Sequence, residues 1–345
     1  MSDIRYGIIG CGNIARAHLP SCIEGEGIVC GGLTDRIDGL AEKLSNEYGG
    51  GFRIFKSAEE MVESLDIDAV ILAVPNYQHR PMFELAAKNG KHILCEKPLT
   101  MTVADGEAMV EIAHKYGVKT QMGLCTRFES YVDAMKEQID AGLLGDVYFA
   151  RADLLRMRGA PMGWFGNSQK SGGGPLIDIG VHFIDACWYL LGKPKPVRVK
   201  ALNYRQIPNR YPKNVDIYKS FEPDTVYDVE DSSHGLITFE NGAGLMYQAA
   251  WSINAEDVDD RLEVYGSKGG LVKNPCKRIS EEATGMTVTS IMAKENNCYT
   301  AQLEDFARVI KGEHASRTPV EDGLQIQKIL NGLYLSARTG KEVEL

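Results

Sequence analysis

The segment Glu96-Lys97-Pro98 follows an apolar run, His92-Ile93-Leu94-Cys95, that reads as a buried strand. A lysine just past the end of such a strand is poorly solvated, which favours its neutral form and makes it a usable acid or base. Glu96 can hold the ammonium in place, and Pro98 restricts Lys97 to an extended backbone. The carboxyl end of a strand is also where α/β folds bind ligands. A second group is Asp178, His182 and Asp185. Their i, i+4, i+7 spacing puts all three on one face of a helix. Ile177, Ile179, Val181, Phe183 and Ile184 surround them, so a polar stripe enters an otherwise buried helix. Three readings compete: a structural Asp-His hydrogen bond, a metal site, or His182 as general base, oriented by Asp178 and working with Lys97. The metal reading lacks a third ligand at diagnostic spacing. The glycines of Ser171-Gly172-Gly173-Gly174 let a substrate approach the backbone and favour the catalytic reading.

A third group opens the chain. Gly10-Cys11-Gly12-Asn13-Ile14-Ala15 lies directly after a strand and before a helix. Its first two glycines permit a tight turn and close approach of backbone to a pyrophosphate, and Ala15 stands in for the third. The helix that follows offers its first amides, around Asn13 and Ile14, to the phosphates. Asp35 comes after the next strand, where a carboxylate accepts ribose hydroxyls. Asp35 would repel a 2′-phosphate and so favours NAD, while the Arg36 guanidinium leaves NADP open. Asn76 and His79, in Pro75-Asn76-Tyr77-Gln78-His79, end another strand and face the same crevice. A helix-start role is the alternative for His79.

The elements that must position these groups fall into two patterns. Up to residue 123, strands at 5–9, 28–34, 69–74, 92–95 and 118–122 alternate with helices at 13–24, 38–48, 79–89 and 102–116. Ser57 and Glu60 form a capping box. Near-continuous apolar strands separated by helices imply an α/β, doubly wound parallel sheet. From 124 to 345 the pattern is α+β. Strands at 146–156, 196–204, 232–240, 243–251 and 260–265 are separated by turn signals such as Asn241-Gly242 and Gly269-Gly270. Helices fall at 129–141, 175–191, 299–311 and 319–337. The expected sheet is open and mainly antiparallel, and covering its face calls for oligomerisation.

At 345 residues, each domain can bury its own core. A net charge of −9 argues against non-specific binding to nucleic acid or anionic membrane. No apolar run is long enough to span a bilayer. A strand begins within a few residues of the N-terminus, leaving no room for a secretion signal. The eight cysteines form no C-x-x-C pair and read as free thiols of a reducing cytoplasm.

Taken in order, the motifs resemble those of the Gfo/Idh/MocA oxidoreductases across nearly the whole chain. They are Gly10–Ala15, Pro75–His79, Cys95–Pro98, Arg127-Phe128, Gly172–Asp185, Phe239–Ala243 and the closing segment from Asp322. The resemblance implies a Rossmann domain over 1–123, then an α+β substrate-binding and oligomerisation domain over 124–345 that forms homodimers or homotetramers. It implies NAD-dependent, or NADP-dependent, interconversion of a ring alcohol and ketone on a sugar, glycoside or inositol held between the domains. In that scheme Lys97 is the catalytic lysine and contacts the nicotinamide ribose, with Glu96 beside it at the cofactor. Asp178 orients the substrate and His182 takes the hydroxyl proton. Arg127 and Trp164 line the nicotinamide and substrate pocket. Many members carry Trp-Arg where this chain has Trp164-Phe165, which removes an arginine from that loop. Trp164, Tyr204 and Trp251 are candidate sugar-stacking surfaces. A redox-neutral glycosidase that oxidises its substrate transiently is the alternative activity; a nucleotide sensor would need none of Lys97, Asp178 and His182.

Overall fold

The computed structural model describes residues 2–207, 226–256, 258 and 260–345. The chain divides into two compact units. The first comprises Met1–Cys125, Gln169–Gly172 and Asn297–Gln327; the second comprises Thr126–Ser168, Gly173–Asn296 and Lys328–Leu345. The chain passes from the first unit to the second after Cys125 and returns to the first at Gln169–Gly172 and again at Asn297–Gln327.

In the first unit, β1 (Ile4–Ile9), β2 (Ile28–Thr34), β3 (Ala69–Leu72), β4 (His92–Glu96) and β5 (Thr120–Gly123) form one sheet in the order β2-β1-β3-β4-β5. Every pairing is parallel. The connecting helices are α1 (Ala15–Glu24), α2 (Leu40–Glu47), α3 (Ala58–Glu63), α4 (His79–Lys88) and α5 (Val103–Tyr116). β3 is buried at all four positions, as its apolar run requires. Local signals set the helix ends. Ser57 accepts the Glu60 N–H to start α3, Thr102 accepts the Asp105 N–H to start α5, and Gly117 ends α5 in the left-handed region. The helix Cys298–Ile310 packs on this unit: Leu303, Phe306, Ala307 and Val309 join the core formed by Tyr6, Ile8, Leu19, Leu33 and Ile71. Tyr6 donates its hydroxyl to the Leu303 carbonyl at 3.1 Å.

In the second unit, nine strands form a sheet: β6 (Val147–Leu155), β7 (Pro196–Tyr204), β8 (Ser232–Phe239), β9 (Gly244–Ala250), β10 (Arg261–Gly266), β11 (Gly269–Val272), β12 (Lys277–Glu282), β13 (Gly285–Ser290) and β14 (Val343–Glu344). Their order is β13-β12-β11-β10-β6-β9-β8-β7-β14, antiparallel except for β6 with β9. Gly269-Gly270, expected as a turn, opens β11 instead and pairs with β12. β12 has Ile279 as its single apolar residue and is half-buried at four positions, while β13 alternates Met286 and Val288 with threonines but leaves both exposed. The unit also contains α6 (Ser130–Asp140) and α7 (Val181–Leu190), and α7 packs on β6, β9 and β10.

An ion pair lies inside this unit. The Arg127 guanidinium donates through Nε and Nη2 to Asp185 on α7 at 2.8 and 2.6 Å, and both side chains are completely buried. The Trp188 and Tyr189 rings lie 5.7 and 5.0 Å from the guanidinium carbon. Removing one partner strands a buried charge, at a cost of about 3–5 kcal/mol, whereas replacing both with apolar groups can be neutral. Asp185→Asn is therefore expected to lower unfolding free energy in urea by about that amount, and Arg127→Met with Asp185→Leu to recover most of it. A single variant as stable as the parent would contradict this.

Candidate active site

The glycine loop of the first unit has the shape a dinucleotide needs. Gly10 sits at φ +96°, and a β-carbon there would lie 2.5 Å from the Ala73 carbonyl oxygen, so the turn admits only glycine. A β-carbon at Gly12 would meet nothing within 4 Å, which leaves its backbone open to an approaching phosphate. Asn13 is exposed and Ile14 half-buried, both in the turn just before α1. Asp35 ties the loop to the end of β2: it accepts the Cys11 N–H at 2.7 Å and the Ile37 N–H at 2.8 Å. Arg36 is exposed. These residues fit a bound NAD, with amides at the loop for the pyrophosphate and a carboxylate for the ribose.

Next to the loop, the ends of β3 and β4 are laced together. Asn76 is buried and donates to the Ser171 carbonyl at 2.6 Å. His79 is fully buried, its Nδ1 2.8 Å from the Pro98 carbonyl and its Nε2 3.0 Å from the Val74 carbonyl. The sequence reading offered His79 as a cofactor contact. Both partners are carbonyls, so the neutral ring donates to one of them and only lies against the other; His79 also opens α4, the helix-start role given as its alternative. Glu96 is buried and accepts from His18 Nε2 at 2.7 Å and from the Lys97 N–H at 3.2 Å. Lys97 is half-buried. His18 escaped the sequence reading, although a signal existed: it sits in the stripe Ala15, His18, Leu19, Cys22 that α1 buries.

In the second unit, residues 176–180 form a turn of π-helix before α7. Such turns recur at functional sites. The wider winding breaks the even stripe expected from α-helical spacing. Asp178 lies on the π turn and accepts the Trp251 indole N–H at 2.9 Å. His182 is half-buried, and its Nδ1 is enclosed without a hydrogen-bond partner, so Asp178 does not orient it through that nitrogen. Asp185 belongs to the Arg127 ion pair. The Arg127 guanidinium, expected at the nicotinamide and substrate pocket, is fully buried and joined to Asp185. Trp251, fully buried, is a partner of Asp178 and no sugar-stacking surface. Trp164 is half-buried and stacks on Phe165, ring centroids 4.0 Å apart. Tyr204 is exposed on β7.

A further carboxyl, absent from the sequence reading, holds the turn that leads to Asp178. Glu230 accepts the Gly174 N–H at 3.0 Å, the Leu176 N–H at 3.3 Å and the Tyr334 hydroxyl at 2.9 Å. Burial raises its pKa against the pull of these donors. A β-carbon at Gly173 would lie 2.0 Å from the Tyr334 hydroxyl, and one at Gly174 would lie 2.4 Å from the Glu230 carbonyl. The glycine run is thus needed first for this close packing.

Burial lowers the His79 pKa despite the carbonyls around it. The unfolded chain therefore takes up a proton at His79 at higher pH than the folded chain. The stability it confers is present above the usual histidine value of about 6.5 and is lost as pH falls through the folded value. Urea unfolding at pH 7.5 and 5.5 is expected to show a smaller acid-induced loss in His79→Gln than in the parent. Equal losses would contradict this.

Two family models match the chain. Residues 4–124 match the oxidoreductase family's NAD-binding Rossmann fold, and residues 136–345 match its C-terminal alpha/beta domain. D-glucoside 3-dehydrogenase of Escherichia coli (strain K12) is 31% identical over 350 residues, covering 100% of this chain and 98% of that protein. The scyllo-inositol 2-dehydrogenase (NAD(+)) of Bacillus subtilis (strain 168) is 28% identical, over 92% and 88% of the two chains. Among solved structures, aldose-aldose oxidoreductase from Caulobacter crescentus, complexed with glycerol, superposes with a TM-score of 0.83 at 27% identity, over 99% of this chain and 100% of that one. A levoglucosan dehydrogenase in complex with NADH and levoglucosan shares the fold, with a TM-score of 0.85 at 22% identity over 99% of each chain. With both family domains present in order and a full-length relative above 30% identity, the chain belongs to the Gfo/Idh/MocA oxidoreductases.

Proposed function

We propose that this protein oxidises a secondary ring alcohol of a pyranoside to the ketone with NAD, reversibly, and that glucosides lead the substrate class, ahead of free aldoses and inositols. The observation that carries this reading is full-length similarity to a D-glucoside 3-dehydrogenase together with Lys97, Asp178 and His182 in one chain. Gly10, Gly12, Asn13, Ile14 and Asp35 would hold NAD, which supplies the hydride acceptor when bound. The Lys97 ammonium stabilises the alkoxide that develops as the hydroxyl proton leaves, before the carbinol hydride departs and the ketone forms. His182 takes the hydroxyl proton as general base. Asp178, steadied by the Trp251 indole, accepts a substrate hydroxyl and fixes the ring.

The second unit's sheet supports a homo-oligomeric assembly. Leu202 and Leu236 are 49% and 43% exposed on β7 and β8, at positions that alternate with buried Ala201 and Ile237. Exposed leucines on one side of neighbouring strands are a surface that an interface would cover. Light scattering is expected to give a dimer or tetramer, and Leu236→Asp to shift it toward monomer; a monomeric parent would contradict this.

The reaction is tested with a panel of glucosides, aldoses and inositols, following nicotinamide reduction with NAD and with NADP. Reduction with at least one glucoside, faster with NAD, is expected. Aglycone release without NADH would instead establish the redox-neutral glycosidase. A well-placed acid or base contributes roughly 10²–10⁴-fold in rate, so Lys97→Ala and His182→Ala should each lose about that much turnover while keeping NADH binding. Near-parental turnover in either variant would overturn its assignment.

A further inference from the structure

The reaction scheme leaves the buried carboxyl of Glu230 without a part. Glu230 lies in the segment Tyr227–Asp231 that leads into β8. Its oxygens divide three donors: Oε2 takes the Gly174 N–H, and Oε1 takes the Leu176 N–H and the Tyr334 hydroxyl. Pro175 between the two has no N–H to offer, so one carboxyl meets both main-chain donors where the π turn begins. Gly174 is held at its other end too, its carbonyl accepting the Asp178 N–H at 3.1 Å. A single residue thus joins Glu230 to the main chain of Asp178, whose carboxylate meets the Trp251 indole. Neighbours of Glu230 hold the surroundings. Asp228 accepts the Ser168 N–H and hydroxyl at 2.7 and 2.8 Å and donates its own N–H to the Gly166 carbonyl, in the loop that carries Trp164. The Asp231 carbonyl accepts the Trp251 main-chain N–H at 2.9 Å.

We propose that Glu230 is a positioning residue for substrate, fixing the start of the π turn and with it the place of the Asp178 carboxylate at the sugar ring. Winding of the π type is rare, so the contacts at its start, more than local propensity, decide where Asp178 stands. A carboxylate only accepts and can take all three donors. A carboxamide of the same shape cannot, since its NH2 must face one of them. Gly174 permits the approach: a β-carbon there would lie 3.0 Å from the Glu230 carboxyl carbon. This inference rests on the reading of Asp178 as the group that fixes the ring.

The place of Asp178 can be read without substrate or cofactor. The chain has 3 tryptophans, and a deuterated sample labelled with 15N at the indoles gives each its own N–H signal in a TROSY spectrum. The Trp251 signal, assigned by its loss in Trp251→Phe, reports the bond to Asp178. The Trp188 indole donates to the Pro194 carbonyl at 2.8 Å, and its signal reports the fold. Glu230→Gln is expected to move the Trp251 signal, to leave that of Trp188 in place, and to move neither in the Asp178→Ala background. With the glucoside oxidised fastest in the panel above, Glu230→Gln is expected to lower kcat/KM about tenfold and keep the parental Kd for NADH; a 1 Å misplacement can cost roughly 10²-fold. The same substitution is expected to cost nothing further in Asp178→Ala, where it has no side chain left to act through. Tyr334→Phe removes one donor and keeps both amides, and is expected to move the Trp251 signal the same way by less. An unmoved Trp251 signal in Glu230→Gln, or in Tyr334→Phe if the glutamine variant does not fold, would overturn the proposal. So would a full tenfold loss added to that of Asp178→Ala. Parental kcat/KM in Asp178→Ala would sink the reading of Asp178, and with it any role of Glu230 in substrate binding; a Trp251 signal that stays put would sink Glu230 alone.

Discussion

A carboxylate buried at the carboxyl end of a parallel strand must find its hydrogen-bond donors locally, and in this protein that requirement organises the end of β4. Glu96 is met by His18 from α1 and by the main chain of Lys97, and Gly123 on β5 leaves the space it occupies. An unmet carboxylate there would cost several kcal/mol or be forced neutral. The same edge carries His79, whose ring lies between the carbonyls of Val74, after β3, and Pro98, after β4, and donates to one of them. Lys97 thus lies between Glu96, held by His18, and Pro98, against which His79 packs. The glycine loop lies along this edge, with Gly10 pressed against Ala73 and Asp35 joined to Cys11.

The second unit solves a parallel problem with different parts. The π turn that carries Asp178 starts from a close-packed glycine pair, and Glu230 and Tyr334 satisfy its first amides. Trp251 holds Asp178, while Asp185 is drawn away to Arg127. Three polar residues that look alike in the sequence thus have three fates: one is held by the Trp251 indole, one keeps an enclosed ring nitrogen, and one closes a core ion pair.

Features that depend on neighbours in sequence were legible before the fold. The alternation of apolar strands and helices up to residue 123, the capping at Ser57 and the glycine loop with Asp35 are local patterns, and the structure carries each of them. What the sequence hid depends on distant partners. Arg127 and Asp185 are 58 residues apart, and nothing local says that the guanidinium is spent in the core. Glu230 and Tyr334 are 104 apart. The Cys298–Ile310 helix packs in the first unit because its Leu303 and Phe306 meet Tyr6 and the sheet, a choice its amphipathic pattern leaves open. β12 escaped because Ile279 is its single apolar residue, and β13 because its alternation spans only Met286 and Val288.

The direct test of hydride transfer from a ring carbon is an isotope experiment. The protein is incubated with NAD and a glucoside deuterated at every ring C–H position, and the nicotinamide product is examined by mass spectrometry. The account predicts reduced nicotinamide heavier by one deuteron, formed in step with a ketone on the ring. Reduced nicotinamide without deuterium, or glucoside consumed with no reduced or transiently reduced nicotinamide, would contradict it.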